Sequence, residues 1–212
     1  SISGFAEMLA RGYMGTLTDA QKEYVEGIYR SSQYLGSLIG DIIDLATIEA
    51  GFLKLEKKPF PLRATIDSVI ALLDERLKVD SLSIDIALEP GTETLTADET
   101  RVKQILVNLL SNAVKVTKAK GRITVRVHRS DAGDLVLSVH DDGPALDAKR
   151  QALLFDPFFR GAHSPGTESS LSLSLVKRFM ELHDGRVSVE SHAGVGTTIA
   201  CHFPAIAAHS AS

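Results

Sequence analysis

The strongest constraint on this chain is a long helical segment near its start. The sequence from Thr18 to Gly51 contains no proline, and Thr18 is a residue type that caps the N-terminus of a helix. Globular proteins have helices of about 11 to 12 residues on average, so a single helix of this length is exceptional. A shorter helix over residues 2–9 precedes it and ends at Gly12 and Gly15. The sequence therefore predicts a helical hairpin.

The apolar side chains of the long helix form a stripe that one chain cannot cover. They recur three or four residues apart, which is typical of coiled coils and four-helix bundles. The alternative is a helix packed on its own domain, but the two helices hold too little apolar surface to bury both faces. We predict a homodimer in which two hairpins form a four-helix bundle. The stripe consists of Val25, Ile28, Leu35, Ile39 and Ile42, and Leu38 and Ile43 widen it.

After Gly51 the apolar spacing alternates between the periods of strands and helices, in an order typical of a two-layer α/β sandwich. The fold class is therefore α+β: a hairpin over residues 1–51, an α/β domain over 52–204 and a flexible tail over 205–212. Helices are predicted at 62–78, 98–117 and 171–183. Strands are predicted at 53–57, 83–88, 94–96, 123–127, 135–139, 187–189 and 198–203.

Composition excludes several classes of protein. A net charge of −4 gives no basic face for nucleic acid, and a single cysteine excludes an internal disulfide. No apolar run is long enough to span a bilayer, and no signal peptide is present, so we expect a cytosolic location. Because the first residues already have the pattern of a helix interior, we expect the chain to be a fragment of a longer protein, attached to a membrane only through upstream regions.

Two carboxamides and one ammonium lie on one face of the helix predicted over 98–117. Asn108, Asn112 and Lys115 are spaced i, i+4 and i+7. Carboxamide oxygens can ligate a hard cation such as Mg²⁺, and a lysine can contact phosphate oxygens. For the spacing alone, an ordinary solvated face is the favoured interpretation.

Two further segments combine polar side chains with glycine. Asp141 ends a predicted strand and could accept a hydrogen bond from an amino group such as that of adenine, while Gly143 lets the backbone approach a ligand closely. An ordinary acidic turn would have the same sequence. Residues 194–198 form a tight turn between two predicted strands, which by itself is weakly specific.

Taken together and in this order, these segments resemble the catalytic and ATP-binding half of sensor histidine kinases, members of the Bergerat-fold ATPases. The resemblance covers essentially the whole chain, with residues 1–51 as the end of the dimerisation and phosphotransfer hairpin. The matching segments are Asp98–Ala113 (the N box and its lead-in), Asp141–Gly143 (first glycine box), Phe155–Gly161 (phenylalanine box), Leu173–Gly185 (following the second glycine box) and Gly194–Thr197 (last glycine box).

The resemblance implies an ATP site with Mg²⁺. Asn108 and Asn112 would hold Mg²⁺ and, with Lys115, the phosphates, while Asp141 would bind the adenine amino group. In this family the γ-phosphoryl group passes to a histidine on the hairpin and then to an aspartate of a response regulator. The nucleotide-binding residues that it implies are Asn108, Asn112, Lys115, Asp141, Gly143, Ala145, Phe155, Leu171, Ser172 and Thr197.

The chain departs from the family where phosphate and base would bind. Glycines of the family are replaced by Ala145, Ser170 and Ser172, Val116 replaces an aromatic residue, and the short lid over residues 162–169 carries Glu168. We expect these changes to weaken or abolish ATP binding, because serine tolerates φ > 0 poorly and a Cβ limits the approach of backbone to phosphate.

The phosphoaccepting histidine is also missing from the hairpin, since all seven histidines lie at or after His128. The acceptor would lie upstream of Ser1, so this chain contains no catalytic acceptor. His183 is expected to be structural, and His128, His163 and His192 are expected to lie on the surface. Two hypotheses remain: an ATP-dependent kinase, or a pseudokinase whose ATP-like domain is a scaffold. Within the family, the combination is most similar to atypical cell-cycle members that carry tyrosine at the acceptor position.

The resemblance also implies protein partners for the hairpin. Family members bind response regulators with helix faces near the acceptor, and a second sensor kinase is a further possible partner. The large side chains available for such contacts are Phe5, Met8, Tyr13 and Tyr24.

Overall fold

The computed structural model describes residues 1–157 and 170–205, without the side chains of Glu75, Arg76 and Ser170. The chain divides into two compact units, one over Ser1–Phe52 and one that begins at Leu53. The predicted fold class is confirmed, because the first unit is a helical hairpin and the second is an α/β sandwich.

The first unit consists of helix α1 (Ile2–Ala10) and helix α2 (Asp19–Glu49). Thr18 caps α2 in a capping box with Gln21, as its residue type predicts. Val25 is buried within the hairpin, but the rest of the apolar stripe is not. Ile28 and Leu35, for example, expose 51% and 53% of their surface. The hairpin alone therefore leaves its main apolar face uncovered.

The second unit contains a five-stranded mixed sheet and a two-stranded ribbon. The sheet has the order β2-β4-β5-β7-β6, antiparallel except for the parallel pair of β2 and β4, and the ribbon pairs β1 with β3. The strands predicted at 123–127 and 135–139 lie within β4 and β5, which pair antiparallel. The strands are β1 (Lys58–Pro61), β2 (Ser83–Leu88), β3 (Thr94–Ala97), β4 (Arg122–Arg129), β5 (Leu135–Asp141), β6 (Arg186–His192) and β7 (Gly196–Phe203).

The helices of the second unit form the other layer: α3 (Leu62–Val79), α4 (Glu99–Val116), α5 (Ala148–Leu153) and α6 (Ser170–Leu182). Helix α4 packs against α3, α6 and β5, so it occupies the centre of the core. Its buried side chains follow the helical repeat predicted from the sequence. Asp98 caps its N-terminus by accepting a hydrogen bond from the backbone of Arg101 at 3.2 Å.

The strand predicted at residues 53–57 is wrong. That segment has no regular secondary structure, and the strand lies instead at Lys58–Pro61. Its two prolines argue against a strand in the middle of a sheet, but they are tolerated here because β1 pairs with only one neighbour, β3. The sequence reading also missed the short helix α5.

The predicted lid (162–169) lies outside the described residues, and so does the predicted flexible tail after residue 205. Within the described parts of the chain, no helix combines the length and apolar character needed to cross a membrane.

Candidate functional site

Three polar side chains lie in one row on neighbouring strands of the sheet. Asp141 at the end of β5 is the register partner of Thr197 in β7, and Thr197 is the register partner of Ser191 in β6. Residues directly opposite each other in antiparallel strands share a face of the sheet. Because Asp141 also pairs with Ile123, a core residue of β4, this row lies on the face that packs against the helices.

Asp141 is an acidic side chain inside the protein. Its surface is 3% exposed, and its Oδ1 accepts a hydrogen bond from the backbone N–H of Gly143 at 3.0 Å. Burial raises the pKa of this carboxyl from 3.8 to about 6, and the hydrogen bond from Gly143 only partly opposes that shift. Asp141 is therefore largely ionised at neutral pH and can accept hydrogen bonds from a donor group of a ligand.

Two glycines let backbone segments pack closely around Asp141. A Cβ at Gly143 would lie 2.6 Å from Asp141 Oδ1 and 2.9 Å from the carbonyl oxygen of Val116, at the end of α4. Gly196 has φ +117°, and a Cβ there would collide with the carbonyl of Asp141. The C-terminal end of α4, the end of β5 and the start of β7 thus meet at Asp141.

Helix α4 brings the predicted asparagines to the same region. Asn108 is half-buried, and its Nδ2 donates a hydrogen bond to the backbone carbonyl of Ser172 in α6 at 3.1 Å. This bond leaves Oδ1 of Asn108 as an acceptor. Asn112 lies one turn further along α4 and is half-buried, and Lys115 is exposed in the last turn. The predicted polar face therefore joins α4 to the start of α6.

The backbone at Ala145 and Ser172 corrects one expectation. Among the described residues other than glycine, only Ser81, Lys120 and Asp184 have positive φ. Ala145 lies in the loop after β5, and Ser172 lies in the first turn of α6. The strain expected from serine at φ > 0 is therefore absent in this structure, and at these two positions the expected weakening rests on the added side-chain atoms alone.

Two other predicted contact residues lie in the segments around the lid. Phe155 is half-buried just after α5, and Leu171 is half-buried in the first turn of α6. The remaining positions of the phenylalanine box, residues 158–161, lie outside the described residues, as does Glu168.

Sequence reasoning missed two residues that hold the site together. The hydroxyl of Ser191 accepts a hydrogen bond from the backbone N–H of Leu146 at 2.8 Å and lies 2.9 Å from Thr197 Oγ1. Gln151 in α5 donates from Nε2 to the carbonyls of Leu146 and Ser191, at 2.9 and 3.2 Å. Neither residue belongs to a glycine motif, and only the strand register, which pairs Ser191 with Thr197, could have pointed to one of them.

His183 has the structural role that was predicted. It is buried, its Nδ1 lies 2.7 Å from the carbonyl of Phe179, and its Nε2 accepts from the backbone N–H of Asp98 at 3.1 Å. Burial lowers the pKa of His183, which keeps the ring neutral. His192 is exposed as expected, whereas His128 is only half exposed.

The side chains of this site fit a nucleotide that arrives with its own cation. Mg²⁺ usually keeps several waters and takes one or two protein oxygens together with phosphate oxygens. Asn108 and Asn112 can supply two carboxamide oxygens from one face of α4. In the described parts of the chain, no cluster of three His, Cys, Asp or Glu side chains could hold a metal by itself.

The hairpin carries a separate open groove of about 980 Å³. Ile28, Leu35 and Ile39 of the apolar stripe line it, together with Tyr24. The other three side chains predicted to contact a partner, Phe5, Met8 and Tyr13, are exposed but do not line the groove. The predicted partner residues therefore divide between two surfaces of the hairpin.

Comparisons with known proteins match both units. Residues 97–207 match the family of "Histidine kinase-, DNA gyrase B-, and HSP90-like ATPase" proteins. Residues 1–51 match the "His Kinase A (phospho-acceptor) domain". The first match alone covers more than half of the chain.

Individual relatives agree with these matches. The circadian input-output histidine kinase CikA of Synechococcus elongatus is 36% identical over 96% of this chain and 28% of its own length. The cell-division control histidine kinase PdhS of Brucella canis is 28% identical over 96% of this chain and 21% of its own length. The present chain thus spans less than a third of either relative.

A solved structure of a relative has a similar fold. Full-length ShkA, in complex with AMPPNP, superposes with a TM-score of 0.77 at 28% identity, over 96% of this chain and 42% of ShkA.

Proposed function

This chain belongs to the sensor histidine kinases, and from that premise we propose that its α/β unit binds Mg²⁺-ATP at the site around Asp141, with a weakened hold on the phosphates. The bound nucleotide would serve a two-component pathway in which the hairpin addresses a response regulator. The chain would act in the cytoplasm, as part of a longer sensor that is tethered to a membrane or held at a cell pole.

The observation that carries this proposal is the buried carboxylate of Asp141. A carboxylate at 3% exposure is unfavourable unless it is paired, and Gly143 supplies only one hydrogen bond. The amino group of adenine would supply another. Thr197, the register partner of Asp141, adds a hydroxyl beside the same position. Buried polar groups with a raised pKa next to close backbone approaches are typical of ligand sites.

The phosphate end of the proposed site lies between α4 and α6. Asn108 and Asn112 would take the cation, and Lys115 would contact phosphate oxygens. The N-terminal end of α6 carries the positive end of the helix dipole, which favours an anion. Ser172 lies in that turn, where its side chain would narrow the approach of the phosphates. This side chain is the reason to propose a weakened rather than an intact phosphate site.

The hairpin would act as a homodimer that docks a response regulator. Ile28, Leu35 and Ile39 line an uncovered groove, which favours a second hairpin as its occupant. The exposed Phe5 and Met8 lie elsewhere on α1 and would anchor the regulator. The name of the relative PdhS supports a role in cell-division control. A second sensor kinase as a further partner stays a prediction.

A second candidate function is active phosphoryl transfer to a histidine or tyrosine upstream of this chain. The ordinary φ angles of Ala145 and Ser172 favour it, because the backbone of the site needs no glycine at these two positions. Transfer of radiolabel from ATP to a longer chain that includes the upstream hairpin would support this candidate. If the same chain binds nucleotide but takes up no label, the pseudokinase hypothesis remains.

Thermal unfolding with and without Mg²⁺-ATP tests nucleotide binding. A ligand that binds only the folded state raises the unfolding temperature of the unit that binds it. We expect millimolar Mg²⁺-ATP to stabilise the α/β unit, and we expect Asn112→Ala to remove this effect. Ser111→Ala, a change in the same helical turn, is the matched control. An equal shift in Asn112→Ala and the unmodified chain would reject the proposed role of Asn112.

Regulator docking has its own test. Phe5→Ala and Met8→Ala should each weaken binding of a cognate response regulator by on the order of 1 kcal/mol or more. Leu72→Ala, at an exposed position of α3, should leave it unchanged. If the regulator still binds after both hairpin changes but no longer binds when the α/β unit is removed, the interface lies on the α/β unit.

A further inference from the structure

We propose that Ser191 is a positioning residue for adenine recognition: its hydroxyl orients the hydroxyl of Thr197 and fixes the loop that follows Asp141. This inference rests on the proposed function, because it concerns how the nucleotide base is selected. Ser191 lies in β6, outside every motif that the sequence analysis singled out.

The hydroxyl of Ser191 has one proton, so it can donate only one hydrogen bond. Its oxygen accepts from the backbone N–H of Leu146 at 2.8 Å, so its one proton must go to another group. Two acceptors are within reach, Thr197 Oγ1 at 2.9 Å and the carbonyl of Gly196 at 3.3 Å. Either hydroxyl can donate in the contact with Thr197, and we assign Ser191 as the donor there because this contact is the shorter of the two. The proton of Thr197 is then directed away from Ser191.

This orientation turns the sheet row into a matched pair of hydrogen-bonding groups. Asp141 presents an acceptor, and Thr197, its register partner, presents a donor. The Watson–Crick edge of adenine has the complementary pair, an amino donor beside the N1 acceptor. Guanine has the opposite pair, since it carries an oxygen acceptor in place of the amino group. Ser191 would therefore favour ATP over GTP without touching the base.

The same hydroxyl holds the loop between β5 and α5. The N–H of Leu146 bonds to Ser191, and its carbonyl accepts from Gln151, which also donates to the Ser191 carbonyl. Ser191 is 7% exposed, so removing its hydroxyl would leave the N–H of Leu146 without its acceptor in a buried place. The loop that carries Gly143 and Ala145 would then lose one of its fixed points.

The test is a titration of the full chain with Mg²⁺-ATP and with Mg²⁺-GTP, followed by NMR amide shifts. We expect Ser191→Ala to weaken ATP binding about tenfold and GTP binding clearly less, so that the preference for ATP falls about fivefold. Ser191→Thr, which keeps the hydroxyl, should retain the preference. Ser188→Ala is the matched control, because its hydroxyl lies in the same strand but bonds to His202 Nε2 at 3.0 Å.

The possible results separate this inference from the proposed function. If Ser191→Ala weakens both nucleotides equally, or neither, Ser191 has no positioning role and the inference is overturned, while the nucleotide site stands. If the unmodified chain binds neither nucleotide, the proposed function fails and this inference with it. Faster exchange of the Leu146 amide in Ser191→Ala, together with a reduced preference for ATP, is the combination that supports it.

Discussion

Helices α2 and α4 bury very different shares of their side chains. Helix α2 has 31 residues, of which only Val25 and Asp41 are buried, while α4 has 18 residues and buries seven. Helix α4 is covered by α3, α6 and β5, whereas α2 is accompanied within its unit by the nine-residue α1. The α/β unit therefore has a core of its own, and the hairpin needs a partner to complete one.

This difference separates the two functions that we propose. A unit with a closed core can hold a small ligand in a fixed frame of side chains, as Asp141 and its neighbours require. An uncovered apolar face instead favours association with another protein. Changes in α2 should therefore alter assembly, and changes in the α/β unit should alter folding stability and ligand binding. The predictions below test that separation.

The largest effect is expected from charges placed in the uncovered stripe. Ile28→Glu combined with Leu35→Glu would bury four carboxylates in a bundle of two hairpins, and such uncompensated charges are strongly unfavourable. We expect the double variant to be a monomer by light scattering. Leu72→Glu, at a leucine of α3 that is 75% exposed, should leave the mass unchanged. A dimer that persists in the double variant would show that the stripe is not the interface.

The next largest effect should appear in the core of the α/β unit. Leu106 in α4 is fully buried, so Leu106→Ala removes packed atoms and should lower the free energy of unfolding of this unit by about 2 to 5 kcal/mol. Leu35→Ala in α2 should leave that value unchanged. Urea unfolding, with separate probes for the two units, measures both. Equal destabilisation by the two changes would mean that the units do not fold separately.

A smaller effect should separate two positions of the first glycine box. A Cβ at Gly143 would lie 2.6 Å from Asp141 Oδ1, so Gly143→Ala should lower the free energy of unfolding by on the order of 1 to 3 kcal/mol. Ala145 is exposed and has an ordinary φ, so Ala145→Gly should change it by less than about 0.5 kcal/mol. Similar losses in both variants would contradict the packing described around Asp141.

The smallest effect concerns the charge on Asp141. Its pKa is raised from 3.8 to about 6 in the folded protein, so the folded state binds this proton more tightly than the unfolded state does. The ionised group therefore destabilises the fold above about pH 6, and its protonation favours the fold as the pH falls from about 6 to about 4. Asp141→Asn should raise the free energy of unfolding at pH 7.5 by on the order of 1 kcal/mol.

The unmodified chain, followed over the same range from about pH 4 to about pH 6, is the reference for this change, because Asp142 at the next position itself contributes to the raised pKa of Asp141. Asp141→Asn should remove the part of the pH dependence of stability, between about pH 4 and about pH 6, that comes from this carboxyl. If Asp141→Asn has a lower free energy of unfolding at pH 7.5 than the unmodified chain, the buried Asp141 carboxylate does not destabilise the fold and the prediction is wrong.

Periodic patterns predicted most of the fold. The helices α2 and α4 and the strand β2 followed from apolar spacing and, for α2, from the capping residue Thr18, because these signals are local. Strand β1 was misplaced because its pairing with β3 depends on residues far away in sequence, and this pairing overrides the unfavourable prolines. Helix α5 was missed because six residues give too short a pattern.

Only part of the candidate site could be proposed from the sequence. Asn108, Asn112 and Asp141 were named as candidates from the resemblance to the family, because their types and spacing alone also fit ordinary polar positions, and no spacing predicts the bond from Asn108 to Ser172. Ser191 acts through strand register, which is a property of the assembled sheet. The expected strain at Ser172 was wrong because the helix start, not the residue type, sets the local φ.

The central claim is that the α/β unit retains an adenine nucleotide site with a weakened hold on phosphate. Calorimetric titration of the full chain with Mg²⁺-ATP tests it most directly, with Asn112→Ala and Asp141→Asn as variants. We predict that the unmodified chain binds with a Kd of about 0.1 to 1 mM, which corresponds to a binding free energy of about 4 to 5.5 kcal/mol. Both variants should lose this binding. No heat at 10 mM ATP, or micromolar binding that is unchanged in Asp141→Asn, would contradict the claim.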